Sequence, residues 1–325
     1  MPTFDPEVER LIALARAAGR QPFEALSPEE ARAAYSANRD LLQPPAVDVA
    51  SACDIDIAGE GGNLRLRVYR PLPSQPNEVL PCLLFLHGGG WVIGDIESHD
   101  RLCRRLANAA RVCVVAVDYR LAPEHRYPAA LDDAATALRW ISANAVELAI
   151  APDRIGVGGD SAGGNLAAVL ALMARDGSAP PVAYQALIYP AVDLVADSKS
   201  YQTVTSGVLL TAATMHYFIE HYTPDVKDRL DWRASPLRAA SLSGTAPALV
   251  VTVSNDPLCD EGQAYARKLE SDGVRVTALH LSDQIHGMLL MGKLLAASNT
   301  VVDFLGASIG AALHAPLPAP GIAPQ

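Results

Sequence analysis

Ser161 stands in Gly159-Asp160-Ser161-Ala162-Gly163, a G-x-S-x-G pentapeptide that follows the apolar run RIGVGG and opens the helical pattern SAGGNLAAVLALMA. A serine at such a junction is either helix punctuation or a nucleophile held out on a sharp turn. A tight strand-to-helix turn needs small residues at its crowded positions, and the glycines meet that need. The placement directly after a strand pattern favours the nucleophile. A helix beginning near Ser161 would point its positive end at an oxygen gaining negative charge. A second cluster, His87-Gly88-Gly89-Gly90-Trp91, directly follows the run CLLFL. Its glycines leave backbone N–H groups unshielded, which suits the binding of an oxyanion. A phosphate cradle would bring a lysine or G-x-G-x-x-G spacing, and neither accompanies this loop. His87 is expected to brace the loop.

A nucleophilic serine needs a base and a group that orients the base. The chain has eight histidines. On an elbow of this kind the partners follow the serine in the order acid, then histidine. His286, in Asp283-Gln284-Ile285-His286-Gly287, comes just after the last strand pattern and fits the base. His280 lies inside that pattern and is expected to be structural, His216 and His221 fall in an insertion, and His314 falls at the tail. Asp256 comes directly after the run ALVVTVSN, with Pro257 turning the chain behind it, and fits the orienting acid. Asp260 and Glu261 read as first-turn residues of the next helix. Asp160 adjoins the serine, but neighbouring side chains on a strained turn diverge. The chemistry expected is two-step acyl transfer to water through Ser161, His286 and Asp256.

The elements that must position these residues alternate. Residues 1–50 read as helices, the second with a Ser27 cap answered by Glu30. CDIDIA and LRLRVYR alternate across Gly59–Asn63, which suggests an antiparallel hairpin. From residue 82 onward the strand patterns are continuous apolar runs separated by helical stretches, as in a parallel sheet covered on both faces. The fold expected is α/β, with a mostly parallel central sheet flanked by helices. Residues 191–236 interrupt the rhythm with a long insertion centred on the helical TAATMHYFIEHY, a natural lid over a site. The Pro-rich segment 313–325 is expected to be a disordered tail.

Composition excludes other classes. Half of the 325 residues are apolar and the net charge is −10. Arg104-Arg105 is the longest basic run, so neither nucleic acid nor an anionic membrane surface is an expected partner. The first ten residues are acidic and do not resemble a secretory signal. No window reaches the roughly 18 apolar residues of a spanning helix. The five cysteines (53, 82, 103, 113 and 259) are scattered, without a Cys-x-x-Cys pair, and read as reduced thiols of a cytoplasmic protein with neither disulfide nor metal.

HGGGW at 87–91, DYRLAPEHRYPAALDD at 118–133, GDSAGGNLA around Ser161 and DPLCDEG at 256–262 resemble the bacterial hormone-sensitive-lipase-like carboxylesterases, over about residues 50–310. The resemblance implies an α/β-hydrolase fold, with its core at 51–190 and 237–312. It implies a cap from the helices of 1–50 and the insertion 191–236, and no cofactor. By position it gives Ser161 as nucleophile, Asp256 as orienter and His286 as base. The backbone N–H groups of Gly88, Gly89 and Ala162 become the oxyanion hole. The block at 118–133 has no obvious chemistry and is expected to shape the loop beneath the site. Met288 replaces the phenylalanine common after the His-Gly pair, and VSN precedes the acid where a more apolar or acidic lead-in is usual.

The substrates implied are short- to medium-chain esters, in a pocket for which Tyr35, Trp91, Tyr189, Leu209, Phe218 and Met288 are candidate linings. The same triad could serve an amidase, lactonase or deformylase. A hydrolase-fold receptor that had lost its histidine is the reading from another class, and His286 speaks against it. The strand pattern at 274–281 is a candidate sheet edge through which a homodimer could form.

Overall fold

The structure, a computed structural model, describes residues 3–75 and 77–316. Three helices lead: α1 (Pro6–Ala17), α2 (Pro28–Ala37) and the short α3 (Arg39–Leu42). Asp5 caps α1 by accepting the Glu7 N–H, and Ser27 and Glu30 form the reciprocal capping box that starts α2. β1 (Ser51–Gly59) and β2 (Gly62–Arg70) then pair antiparallel as the hairpin. Next come β3 (Leu80–Leu86), α4 (Ile96–Ala110), β4 (Cys113–Val117), α5 (Ala129–Ala143), β5 (Ile150–Asp160), α6 (Ala162–Arg175) and β6 (Tyr184–Ile188). The insertion holds α7 (Lys199–Thr203) and α8 (Ala212–Tyr222), and β7 (Ala248–Asn255), α9 (Cys259–Ser271), β8 (Val276–Ile285) and α10 (Ala296–His314) close the chain.

The eight strands form one sheet in the order β1-β2-β4-β3-β5-β6-β7-β8, antiparallel at the β1-β2-β4 end and parallel from β4 to β8. The central strands are buried on both faces because helices cover both. Leu84, Leu86, Val115 and Val117 pack with Leu138 of α5, Leu166 of α6 and Tyr265 of α9. Their neighbours Leu83, Phe85, Val114 and Ala116 point the other way, to Leu106 of α4 and Val302 of α10. The period of two along each strand thus feeds two cores from one continuous apolar run.

α10 departs from the sequence reading in two ways. It extends to His314, so Leu313 is a buried helix residue and His314 bonds the Arg111 carbonyl rather than lying in a tail; residues 317–325 of that expected tail lie outside the described residues. It is also long and apolar enough, by length and composition, to cross a bilayer. Yet Val301, Val302, Leu305 and Ile309 of this helix sit in the second core, and Arg105 of α4 bonds Asn299 and pairs with Asp303. It is a core helix, made apolar by the sheet face it covers.

The N-terminal helices and the insertion meet each other over the sheet. Thr214 of α8 donates a hydrogen bond to Glu24 at 2.7 Å, and the rings of Phe23 and Phe218 lie 5.9 Å apart. Arg32 of α2 fastens this layer to the core through the carbonyls of Val92 (2.8 Å) and Ala122 (2.9 Å) and an ion pair with Glu124.

Candidate active site

β5 ends on Asp160 and α6 begins on Ala162, so a single residue, Ser161, makes the whole turn. Its backbone is at φ 56, ψ −117, a conformation that a non-glycine residue adopts only under strain. The strain is held from both sides. The Ser161 N–H donates to the Ile188 carbonyl at 2.9 Å, and the Ser161 carbonyl accepts the Asn165 N–H at 3.0 Å. Gly163 has to be glycine, because a Cβ there would run into the Leu86 carbonyl oxygen of β3.

Asp256 and His286 follow the ends of β7 and β8. Those strands run parallel and finish on the register pair Asn255↔Ile285, so the next residue of each comes out side by side at one end of the sheet. His286 Nδ1 and Asp256 Oδ2 are 2.7 Å apart. The other carboxylate oxygen accepts the Leu258 N–H at 2.9 Å, which fixes the carboxyl plane. Asp256 is fully buried, and the Tyr189 ring backs the imidazole at 4.5 Å between centroids. His286 and Ser161 open onto the same pocket.

The glycine loop reaches that pocket from the other side. Gly89 has φ 122, which only glycine adopts readily, and a Cβ there would strike the Ile93 carbonyl. Among the described residues, the N–H groups of Gly89, Gly90 and Ala162 bond no other part of the chain. Gly88 corrects the sequence reading. Its N–H donates to Asp160 Oδ1 at 3.0 Å and lies 3.3 Å from His99 Nε2, so it is already committed and cannot serve an oxyanion.

His87 braces the loop. Its ring stacks on Tyr119 at 4.1 Å, its Nδ1 donates to the Gly88 carbonyl at 2.8 Å, and the Tyr119 hydroxyl donates to the His87 carbonyl at 2.7 Å. Burial, helped by neighbouring His99, pushes the imidazole down to about 4. Tyr119 belongs to the block 118–133, which therefore does support the loop. His280 bonds Thr252 (2.8 Å) and Ser254 (2.9 Å) on the neighbouring strand, away from the serine.

The Asp160 carboxylate is taken up by the Gly88 N–H and by His99, with which it pairs at 3.1 Å in a buried contact. Burial pushes its carboxyl up, but His99 and the other nearby histidines outweigh that and hold it below the usual range.

Of the six candidate lining residues, Tyr35, Leu209 and Phe218 line the pocket. Trp91, Tyr189 and Met288 do not. Trp91 is fully buried and stacked on Tyr222 at 4.6 Å, Tyr189 lies behind His286, and Met288 is enclosed in the second core. Met291, one turn beyond Met288, lines the pocket in its place. Phe23, Met215 and Arg39 also line it and were not foreseen. Their spacing marks an amphipathic helix or turn, but only the docking of the two cap segments on each other reveals which side is the wall. The cavity measures about 110 Å³.

A family model described as the alpha/beta hydrolase fold matches residues 83–290. The ethyl acetate hydrolase of Pseudomonas putida is 41% identical over 291 residues, covering 88% of this chain and 91% of that protein. The chain belongs to the α/β-hydrolase family, among its hormone-sensitive-lipase-like carboxylesterases. It is an ester hydrolase. The carboxylic ester hydrolase LipN of Mycobacterium tuberculosis is 38% identical, covering 94% of this chain and 84% of that one. Among solved structures, an α/β-hydrolase enzyme from the metagenome of Lake Arreo superposes with a TM-score of 0.91 at 40% identity, over 95% of this chain and 98% of that one. A hyperthermophilic esterase from the archaeon Pyrobaculum calidifontis gives a TM-score of 0.88 at 40% identity, over 96% and 99%.

Proposed function

We propose that this α/β hydrolase cleaves short- to medium-chain carboxylic esters with Ser161 as nucleophile, His286 as general base and acid, and Asp256 as orienter. The observation that carries the reading is the 2.7 Å contact of buried Asp256 with His286, which lines the same pocket as strained Ser161. His286 takes the Ser161 proton as Oγ attacks the ester carbonyl. Asp256 accepts from Nδ1, which leaves Nε2 as the free base and stabilises the imidazolium that forms. The carbonyl oxygen becomes an oxyanion held by the N–H groups of Gly89, Gly90 and Ala162 and by the positive end of α6. His286 then protonates the leaving alcohol, and water clears the acyl-enzyme by the same route. The sequence runs on the chain's own residues, without a cofactor.

The cap is proposed to comprise residues 1–50 and 191–236, with the remainder of the described chain as core. β8 stands at the sheet edge, which supports the proposal of a homodimer through 274–281. Four of the five cysteines are buried and all are unbridged, which supports a cytoplasmic location.

The test is a chain-length series of p-nitrophenyl esters with wild type, Ser161→Ala and Asp256→Asn. Activity should peak at short acyl chains, vanish in Ser161→Ala and fall on the order of 10³- to 10⁴-fold in Asp256→Asn. Turnover retained in Ser161→Ala would refute the assignment.

A further inference from the structure

The charges on the pocket wall do not match a purely alkyl substrate. Three charged residues line it: Arg20, Arg39 and Asp160. Asp160 is already compensated by His99 and the Gly88 N–H. The two arginines are not compensated to the same degree, in a chain whose net charge is −10.

Arg20 is placed by the end of α1. Gly19, at φ 64, lets its own N–H bond the Arg16 carbonyl (3.0 Å) and the Arg20 N–H bond the Ala15 carbonyl (3.3 Å). The residue after such a glycine commonly carries an apolar side chain packed back on its own helix. Here it is arginine, with Cζ 5.3 Å from the centre of the Phe23 ring. Among the described residues it pairs with no carboxylate, and although the residue as a whole is exposed, its side chain lies along the pocket wall, where partial desolvation lowers its pKa and Tyr35 opposes that pull.

Arg20 and Tyr35 line the same pocket. Burial pushes the Tyr35 phenol up, Asp160 and Asp95 add to that, and Arg20 acts against them. Arg39 stands on the same wall. It makes long ion pairs with Glu97 and Asp40 at 3.8 and 3.9 Å and donates from Nη1 to the Glu97 carbonyl at 3.2 Å, while its Nε is buried without a hydrogen-bond partner among the described residues.

We propose that the pocket takes esters bearing a carboxylate remote from the scissile bond, such as half-esters of dicarboxylic acids, held by Arg20 with Arg39 beside it; this rests on the esterase reading above. A guanidinium suits the task because its planar fork matches a carboxylate with two parallel hydrogen bonds. The aromatic and aliphatic wall of Phe23, Leu209 and Phe218 would pack the methylene chain between the two ends.

Two matched pairs test this and tell which side of the ester carries the charge: monoethyl adipate against ethyl heptanoate, and 4-acetoxybutanoate against pentyl acetate. In wild type, one carboxylate ester should match or exceed its alkyl partner in kcat/KM. Arg20→Met should lower that ratio about tenfold, Arg20→Lys should retain most of it, and added salt should narrow it. A wild-type ratio below one in both pairs, or a ratio that Arg20→Met does not move, overturns the proposal. If p-nitrophenyl butyrate is still hydrolysed in that case, the esterase reading stands without it; a wild type that hydrolyses no ester loses both.

Discussion

Asp160 Oδ1 lies 3.0 Å from the Gly88 nitrogen and 3.1 Å from His99 Nε2, so the residue before the strained serine also latches the glycine loop to the elbow. The two halves of the site come from different strands, β5 and β3, which are hydrogen-bonded neighbours up to Leu86↔Gly159. Beyond that pair the ladder ends, and the carboxylate carries the connection on. Asp160→Ala would leave a buried N–H and a buried imidazole without their acceptor, at a cost of about 1–3 kcal/mol each. Its kcat on p-nitrophenyl butyrate should fall about 10²-fold, because the oxyanion donors lose their anchor. Asp160→Asn keeps an acceptor oxygen and should lose about tenfold. Equal activity of both variants with wild type would show that the loop holds its shape unaided.

The buried His87 makes stability depend on acid. Its folded-state pKa is depressed from 6.5 to about 4, so the unfolded chain takes the proton first as pH falls. The stabilisation is fully present above pH 6.5 and is lost as pH falls through about 4. Across that window it amounts to roughly 3 kcal/mol. Guanidinium unfolding of wild type and His87→Asn at several pH values should show the wild-type curve falling more steeply below pH 6.5. Parallel curves would remove His87 as the cause.

Arg32 should matter more through its carbonyl contacts than through its ion pair. The Glu124 carboxyl, hydrogen-bonded by Arg32, is pushed down to about 2, so that contribution is present above the ordinary value of 4.5 and is lost as pH falls through about 2. The Glu124 side chain is 53% exposed, however, and solvent screening holds the pair to well under about 1 kcal/mol. The bonds to the Val92 and Ala122 carbonyls tie α2 to the segment just after the glycine loop and to the 118–133 block. Arg32→Met should raise KM several-fold and expose the N-terminal segment to limited proteolysis, with Glu124→Gln close to wild type in both assays. The reverse ranking would make the ion pair the fastening.

Chain-order logic worked where one strand end carries one residue. Asp256 and His286 each follow an apolar run directly, and the parallel β7–β8 register brings them together without any other element. The same logic failed for Gly88. All three loop glycines look alike in sequence, and only the position of the Asp160 side chain distinguishes the committed N–H from the free ones. It failed again for Trp91 and Met288. Large apolar residues beside catalytic ones read as pocket wall, yet stacking on Tyr222 and closure of the second core turn them inward. The wall itself comes from segments far apart in the chain, such as Phe23 and Phe218, whose meeting is a tertiary event with no local pattern.

That difference between wall and core predicts opposite outcomes for two aromatic residues near the site. Phe218 lines the pocket, packs on Phe23 and stands where a Cβ on Gly90 would be. Phe218→Ala should open room beside the oxyanion loop, move the optimum p-nitrophenyl ester toward longer chains and lower kcat modestly as Gly90 loses its backing. Trp91 is fully buried, with its ring 4.6 Å from that of Tyr222 and nearly parallel to it. Trp91→Ala leaves a cavity away from the substrate and should cost about 3–5 kcal/mol of stability. Its chain-length profile, measured below the unfolding transition, should keep the wild-type optimum. A shifted optimum in Trp91→Ala together with an unshifted one in Phe218→Ala would exchange their roles and place the acyl chain on the opposite side of the glycine loop.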